Sequence, residues 1–218
     1  MYDAEKNVPP FTETDRLNTV NPYGTTKLAM EFLLKDMAFH KGFEVVCLRY
    51  FNPVGAHHSG LLGENPKGIP TNLVPFLLRV AKKEIEEITV FGEDYPTPDG
   101  TCIRDYIHIE DLAQAHVQSY EYLLQQEEAE EASEQLPLPR YEIFNIGTGN
   151  GKSVKEMLMI ASSVVGEEIP FHIGERRDGD VAVSVANPSK AKKILAREPQ
   201  KTILEAVQDA WNFAQKHS

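Results

Sequence analysis

Hydrophobic and polar positions near the start of the chain follow first a helical period and then a continuous apolar run. A helix is predicted over residues 23–40, after a turn at Asn21-Pro22. Its apolar residues recur at helical spacing: Leu28, Phe32, Leu33 and Met37. Gly42 ends this segment, and the run 43–50 suits a strand buried on both faces of a parallel sheet. An amphipathic helix followed by such a strand is half of a βαβ unit.

The rest of the chain continues to alternate between the two patterns. Strands are predicted at 88–91, 104–109, 141–146 and 171–173, and helices at 72–81, 110–124, 154–165 and 203–217. Ser153 is expected to cap the 154–165 helix, with Glu156 at the position that completes a capping box. The alternation predicts an α/β fold.

Composition excludes several classes of protein. The chain has 218 residues, 41% of them hydrophobic, and a net charge of −11 without a basic patch, so nucleic-acid binding is not expected. Part of the acidity comes from a run of glutamates within 125–139, predicted to be a solvated, mobile insertion. No apolar run approaches the roughly 20 residues that span a bilayer, and the polar N-terminus lacks a signal peptide. We therefore expect a cytoplasmic location.

Tyr23 and Lys27 are the first candidates for chemistry. They lie four residues apart and so share a helical face. An ammonium beside a phenol lowers the phenol pKa from about 10, and a tyrosine tuned in this way exchanges protons with an alcohol near neutral pH. Taken alone, the pair is explained as well by a buried ring beneath a solvated amine.

Two other patterns imitate known sites. Gly147, Gly149 and Gly151 follow a predicted strand, but their spacing is wrong for a phosphate loop, so we interpret them as a strand-to-helix turn. The histidines and cysteines lack the spacing of metal ligands: His57, His58 and His108 are expected to be loop or core residues, and Cys47 a small buried hydrophobe. No metal site is predicted.

Several segments in order resemble the UDP-glucose 4-epimerase family, within the extended short-chain dehydrogenase/reductases. The resemblance covers the whole chain except 125–139. Besides Tyr23-x-x-x-Lys27, it rests on these segments: Leu48-Arg49-Tyr50-Phe51-Asn52-Pro53-Val54-Gly55-Ala56-His57, Gly68-Ile69-Pro70-Thr71-Asn72-Leu73, the segment 91–101, Arg104-Asp105-Tyr106-Ile107-His108, Asn145-Ile146-Gly147-Thr148-Gly149, and Arg176-Arg177-Asp178-Gly179-Asp180.

The resemblance implies an NAD-dependent isomerase that interconverts UDP-glucose and UDP-galactose through a 4-keto sugar. Tyr23 would take the proton of the sugar 4-hydroxyl, and Lys27 would hold the nicotinamide ribose and lower the Tyr23 pKa. Tyr50 and Phe51 would lie near the nicotinamide. Family members form homodimers through the helix that carries the tyrosine and through a second helix that we expect to be missing here.

The resemblance also implies a set of UDP-sugar contacts: Asn52, Asn72, Leu73, Thr89, Val90, Phe91, Arg104, Arg177, Asp180 and Ser184. Arg104 and Arg177 would grip the diphosphate, since guanidinium forks match phosphate oxygens. Alternatively, either arginine forms a surface ion pair with Asp105 or Asp178. Asp180 would bind a ribose hydroxyl or orient Arg177. Ser184, where many family members carry a bulky aromatic, would leave room for an N-acetyl group.

The expected organisation has two parts. Residues 1–55, with parts of 100–150, would be the remnant of a Rossmann-like NAD-binding domain, and 56–218 mainly the smaller mixed α/β domain that binds the UDP-sugar. The Gly-rich half of the family does not occur in this sequence. We therefore expect the C-terminal two-thirds of an epimerase, which alone neither holds NAD nor epimerises. A non-catalytic UDP-sugar-binding remnant is the alternative, and a sugar 4,6-dehydratase is a weaker one.

Overall fold

A computed structural model describes residues 2–19, 21–131 and 141–217, without the side chains of 129–131. The helices in this part of the chain are α1 (Pro22–Lys41), α2 (Leu73–Ala81), α3 (Ile109–Glu131), α4 (Val154–Val165), α5 (Ser189–Ile194) and α6 (Ile203–Lys216). The strands are β1 (Val45–Tyr50), β2 (Asn52–Val54), β3 (Ile88–Phe91), β4 (Ile103–His108), β5 (Tyr141–Ile146), β6 (Gly151–Ser153), β7 (Phe171–Gly174) and β8 (Val183–Ser184). The α/β prediction is confirmed.

Helix α1 begins and ends as its sequence predicts. The side chain of Asn21 accepts a hydrogen bond from the Gly24 N–H at 2.8 Å, which caps the first turn. At the other end Gly42 has φ +70°, a left-handed conformation that glycine adopts at little cost. The apolar side chains are not buried as an amphipathic helix would bury them: Phe32 and Leu33 are 63% and 60% exposed, and Ala38 is the fully buried residue of this helix.

Strand β1 pairs in parallel with β5, with Val45 opposite Tyr141 and Tyr50 opposite Ile146. Among the described residues, this two-stranded sheet has no further strand. The carboxyl ends of both strands lie at one edge, where α/β sheets usually bind ligands. Tyr50 stands at that edge.

Strand β4 is the centre of a second, four-stranded sheet. Its first residues pair with β6 (antiparallel) and β8 (parallel), and its last residues pair in parallel with β2. A third sheet joins β3 and β7 in parallel. These pairings place Arg104 opposite both Lys152 and Ser184.

The main hydrophobic core lies between α2, α4 and α6. Leu77, Met157 and Val207, one from each helix, are fully buried in it. Helix α4 has the predicted capping box, because Ser153 accepts from the Glu156 N–H and Glu156 accepts from the Ser153 N–H. Thr202 and Glu205 form the same motif at the start of α6.

Two features differ from the sequence prediction. Helix α3 continues to Glu131, so residues 125–131 extend a helix instead of forming part of the predicted insertion. Glutamate is a strong helix former, and the acidic run extends the helix instead of interrupting it. Residues 132–139 of the predicted insertion lie outside the described residues. Four elements were not predicted, because each is too short to show a period: β2, β6, β8 and α5.

Where it is described, the chain has no helix both long enough and apolar enough to cross a membrane.

Candidate functional site

Arg104 and Arg177 converge on one carboxylate, that of Asp180. Arg104 Nη2 lies 3.4 Å from Asp180 Oδ1, and Arg177 Nε lies 3.4 Å from Asp180 Oδ2. A second nitrogen of Arg104 donates to the main-chain oxygens of Ile103 and Val181, at 3.0 and 2.7 Å. Two guanidinium groups sharing one carboxylate leave a net positive charge, which is what an anionic ligand requires.

Aromatic stacking fixes the second arginine of this cluster. The guanidinium carbon of Arg177 lies 4.4 Å from the centroid of the Phe91 ring. Phe91 is the last residue of β3, and its ring is 38% exposed. The stacking leaves other N–H groups of Arg177, whose side chain is 58% exposed, free to reach a ligand.

The geometry decides between the alternatives left open for Asp180 and the arginines. Consecutive residues of a strand point to opposite faces, so Arg104 does not pair with the adjacent Asp105. Asp105 is fully buried and accepts from the N–H groups of Thr148, Gly149 and Ala186, at 2.9 to 3.1 Å. Each arginine is ion-paired, but with Asp180 rather than with Asp105 or Asp178. Asp180 contacts Arg177, as the second of its two considered roles requires, and its binding of a ribose hydroxyl stays a prediction.

Tyr23 and Lys27 lie together on the first two turns of α1. The Lys27 ammonium is 5.2 Å from the centroid of the Tyr23 ring, so it faces the ring of the phenol. Tyr23 is 72% exposed. In the part of the chain that the structure describes, the Lys27 ammonium contacts the Tyr23 ring. Neither side chain contacts Arg104, Arg177 or Asp180. The structure therefore pairs them, as predicted, on an open surface.

Tyr50 and Phe51 mark the carboxyl end of β1. The Tyr50 ring is 51% exposed and lies 6.2 Å from the His116 ring. The Phe51 ring stacks on that of Tyr2, and its N–H donates to the Ile146 oxygen at 3.1 Å. An exposed aromatic at the edge of a parallel sheet fits one wall of a nicotinamide site.

The remaining candidate ligands are spread over three elements. Asn52 lies in β2, opposite Tyr106, whose burial raises the pKa of its phenol to about 12. The Asn72 amide donates to Glu64 Oε1 at 3.1 Å, one residue before Leu73 begins α2. Thr89 shares a 3.0 Å hydrogen bond with His172, while Val90 is buried. The side chain of Val90 therefore supports this region from the core rather than from its surface.

The glycines of 147–151 pack against protein and connect β5 to β6, which begins at Gly151, so the segment is a strand-to-strand turn rather than the predicted strand-to-helix turn. A Cβ on Gly147 would lie 2.5 Å from Asp105 Oδ2, and one on Gly151 would lie 2.4 Å from Ile103 Cγ2. The N–H groups of Thr148 and Gly149, which a phosphate loop would offer to its ligand, each donate to the Asp105 carboxylate at 2.9 Å.

Sequence reasoning missed two residues of this region. Asp105 holds the turn at Thr148 in place, and only the strand alternation beside Arg104 signals its inward direction. Arg176 stacks on Tyr95, 4.1 Å from the ring centroid, and its hydrogen bond to Asp94 raises the pKa of its guanidinium. The adjacent arginines 176 and 177 thus have different partners.

The fold and these residues define an α/β protein with two arginines that share one carboxylate and a helix that carries a Tyr-x-x-x-Lys pair. Residues 1–147 match the family described as "NAD dependent epimerase/dehydratase family", and the chain belongs to it. The UDP-glucose 4-epimerase of Bacillus subtilis (strain 168) is 43% identical over 205 residues, which is 94% of this chain and 57% of that protein. The chain thus spans less than two-thirds of the length of this relative.

Solved structures similar to this chain are also UDP-glucose 4-epimerases. A UDP-glucose 4-epimerase from Stenotrophomonas maltophila, with bound NAD and formylated UDP-arabinopyranose, is similar with a TM-score of 0.88 and 41% identity. The alignment covers 97% of this chain and 60% of that one. The Bifidobacterium longum enzyme, in complex with NAD+ and UDP, has a TM-score of 0.85 and 42% identity, covering 96% and 59%. The resemblance to UDP-glucose 4-epimerases and the Rossmann-like fold are confirmed.

Proposed function

We propose that this chain provides the substrate side of an NAD-dependent UDP-glucose 4-epimerase. The observation that carries the proposal is the convergence of Arg104 and Arg177 on Asp180 beside Phe91. The two guanidinium groups provide positive charge for a diphosphate. Phe91, at the end of β3, provides an aromatic ring for a base. Thr89 and Phe91 would lie along the uracil, and the buried Val90 would support them from the core.

Each reacting group has a role within this proposal. Tyr23 takes the proton of the sugar 4-hydroxyl and later returns it, and Lys27, whose ammonium lies 5.2 Å from the centroid of the Tyr23 ring, holds the nicotinamide ribose. When bound, NAD supplies the hydride acceptor and donor that conversion to the 4-keto sugar and back requires. Tyr50 and Phe51 line the nicotinamide side, and Asn52, Asn72 and Leu73 contact the UDP-sugar.

Calorimetric titration of UDP into the purified chain tests the anion cluster. Arg177→Leu should weaken UDP binding about ten- to a hundredfold, because a charged hydrogen bond contributes about 1.5–3 kcal/mol. Arg176→Leu is the matched control, since the neighbouring side chain also stacks on a ring but pairs with Asp94. Equal loss of affinity in both variants, or no UDP binding by the unmodified chain, would contradict the proposal.

The cofactor is tested separately by quantifying NAD released on denaturation of the purified chain. We predict none at stoichiometric level, because the chain provides one wall of the nicotinamide site and has no Gly-rich phosphate loop. UDP binding without NAD would agree with both the epimerase portion and the non-catalytic UDP-sugar-binding alternative. Epimerisation after addition of a Gly-rich half, and its loss in Tyr23→Phe, would select the enzyme.

Ser184 supports a proposal about the sugar. It lies in β8 opposite Arg104 and is partly exposed. A small side chain here leaves space for an N-acetyl group, so we propose that UDP-N-acetylglucosamine is accepted besides UDP-glucose. Ser184→Tyr should weaken the binding of UDP-N-acetylglucosamine but not that of UDP-glucose. Ser184→Ala should leave the affinity for both sugars unchanged. Equal loss for both sugars in the tyrosine variant would contradict this.

The proposed oligomer is a homodimer formed through α1. The exposed apolar residues of this helix support it: Met30, Phe32, Leu33 and Phe39. Sedimentation of the chain and of Leu33→Glu should show a shift from dimer to monomer. A monomer at every concentration of the unmodified chain would refute pairing through this helix alone.

A further inference from the structure

Three side chains outside the proposed substrate site meet beside the start of α3. His57 and His58 are consecutive residues of the loop after β2, and Glu110 is the second residue of α3. His58 Nδ1 lies 2.9 Å from Glu110 Oε1, and His57 Nε2 lies 3.5 Å from the same oxygen. One ligand atom of each residue falls within 4.8 Å of the other two. The sequence alone did not indicate this cluster, because Glu110 is distant from the histidines along the chain.

The separations match those around a tetrahedral metal ion. Zinc binds imidazole nitrogen and carboxylate oxygen at about 2.0–2.2 Å, which places ligand atoms about 3.3 Å apart. The two nitrogen-to-oxygen distances lie on either side of that value. We propose that His57, His58 and Glu110 form a binding site for a divalent transition metal, with Zn²⁺ as the best fit. Three protein ligands leave a fourth position for water.

Neighbouring groups hold the ligands in a suitable orientation. His57 Nδ1 lies 2.8 Å from the Ser59 hydroxyl. His57 Nδ1 also accepts from the Ser59 N–H at 3.2 Å, which places the proton of the neutral ring on Nε2, so a metal bound at Nε2 would displace that proton. The main-chain N–H of His58 donates to Glu110 Oε1 at 3.3 Å, so the loop is already fastened to the carboxylate. Binding a metal requires little rearrangement of the backbone.

Two lysines face this cluster and set a limit on its affinity. Lys201 Nζ is 3.6 Å from Glu110 Oε2, the carboxylate oxygen away from the histidines, and is also 3.6 Å from Asp209. Lys216 Nζ donates to the Ser59 oxygen at 2.7 Å. Asp209 balances part of the Lys201 charge. The remaining repulsion places the site among moderate-affinity sites rather than structural zinc centres.

An overlapping group, His108 with Glu110 and Asp209, is a poorer ligand set. His108 Nδ1 accepts from the Glu110 N–H at 3.0 Å, and Nε2 lies 3.2 Å from Asp209 Oδ2. Both nitrogens of this buried ring already have protein partners, and a metal would displace one of them. His57 and His58 are more accessible, with side chains 41% and 64% exposed.

Titration of zinc chloride into the unmodified chain, followed by calorimetry, tests the site. We expect one bound ion per chain, a higher unfolding temperature with zinc, and no competition from excess Mg²⁺, which prefers oxygen ligands. His58→Ala should weaken zinc binding at least about tenfold. His172→Ala is the matched control, because His172 also pairs with a glutamate, Glu87, at 2.7 Å but has no second histidine in that pair.

Several outcomes would overturn the proposal. They are the absence of zinc binding, displacement of zinc by Mg²⁺, and an equal loss of affinity in His172→Ala. If His58→Ala does not fold, NMR of the unmodified chain replaces it: zinc must shift the ring signals of His57 and His58 and leave those of His172 unchanged. None of these measurements depends on UDP-sugar binding or epimerisation.

Discussion

The α1 region and the α2–α4–α6 core contain similar apolar residues but bury them differently. In the core, Leu77, Met157 and Val207 are withdrawn completely from solvent. In α1, Phe32 and Leu33 remain more than half exposed. A helical period therefore predicts where a helix forms, but it does not say what that helix packs against. The core region buries its apolar side chains among three helices, whereas α1 has one small buried contact, through Ala38, and polar contacts besides.

Those polar contacts centre on Arg49 in β1. Its guanidinium makes two hydrogen bonds with the Glu31 carboxylate, at 2.8 and 2.6 Å, and donates to the Tyr2 hydroxyl at 2.9 Å and to the Glu13 main-chain oxygen at 3.1 Å. One side chain thus links α1, β1 and the N-terminal segment. This link adds to the small apolar contact of α1, in which Ala38 packs with Val45 and Cys47.

The largest predicted effect tests this link. Arg49→Met should destabilise the chain by about 3–5 kcal/mol, because it leaves the Glu31 carboxylate buried without its partner. The measurement is chemical denaturation monitored by circular dichroism. The exposed pair of Arg176 with Asp94 provides the control, and Arg176→Leu should leave the denaturation midpoint nearly unchanged. A small effect of Arg49→Met would show that α1 is held in another way.

A second prediction compares apolar truncations in the two regions. Leu77→Ala should cost about 2–5 kcal/mol through lost burial and a cavity, whereas Phe32→Ala should stay within about 0.5 kcal/mol. The same denaturation measurement applies to both variants at equal, low protein concentration. Comparable costs would mean that the exposed face of α1 is buried in solution, and the contrast between the regions would then fail.

The smallest predicted effect concerns pH. The backbone N–H and the hydroxyl of Thr202 donate to Glu205, and these hydrogen bonds lower the pKa of its carboxyl. A lowered pKa means that the stabilisation is present above the ordinary value of about 4.3 and is lost as the pH falls through the lowered value. Helix α6 should therefore fray in acid, while α1, capped by the uncharged Asn21, should not fray at its N-terminal cap.

NMR titration of the Glu205 carboxyl checks the shift directly, and Glu205→Gln is the control that retains a capping side chain without its charge. An ordinary pKa for Glu205 would contradict the prediction that the start of α6 frays in acid while the start of α1 does not.

Local signals in the sequence predicted much of the fold. The caps of α1 and α4, the parallel strand β1 and the α6 helix follow from turn residues and periodicity that neighbours along the chain determine. Pairings between distant segments could not be predicted from these signals. Asp180 as the shared partner of Arg104 and Arg177, and Glu110 beside His57, depend on how the sheets bring separate loops together.

The candidate site illustrates the same limit. The arginines and the Tyr23–Lys27 pair were proposed from motif resemblance, and the structure supplies the contacts that a motif does not contain. The structure also shows that two adjacent arginines have different partners: Arg176 pairs with Asp94 and Arg177 with Asp180. The sequence of the dipeptide does not indicate this difference.

The packing of Asp105 against Gly147 restricts how this protein can evolve. Any side chain at 147 would collide with the Asp105 carboxylate and with the Cβ of Ala186, which lies 2.6 Å from the place a Cβ would occupy. Loss of the glycine becomes tolerable only after the carboxylate is lost, and loss of the carboxylate leaves three N–H donors without their acceptor, that of the buried Ala186 among them. Sequences descended from this one should therefore inherit both residues together or replace both.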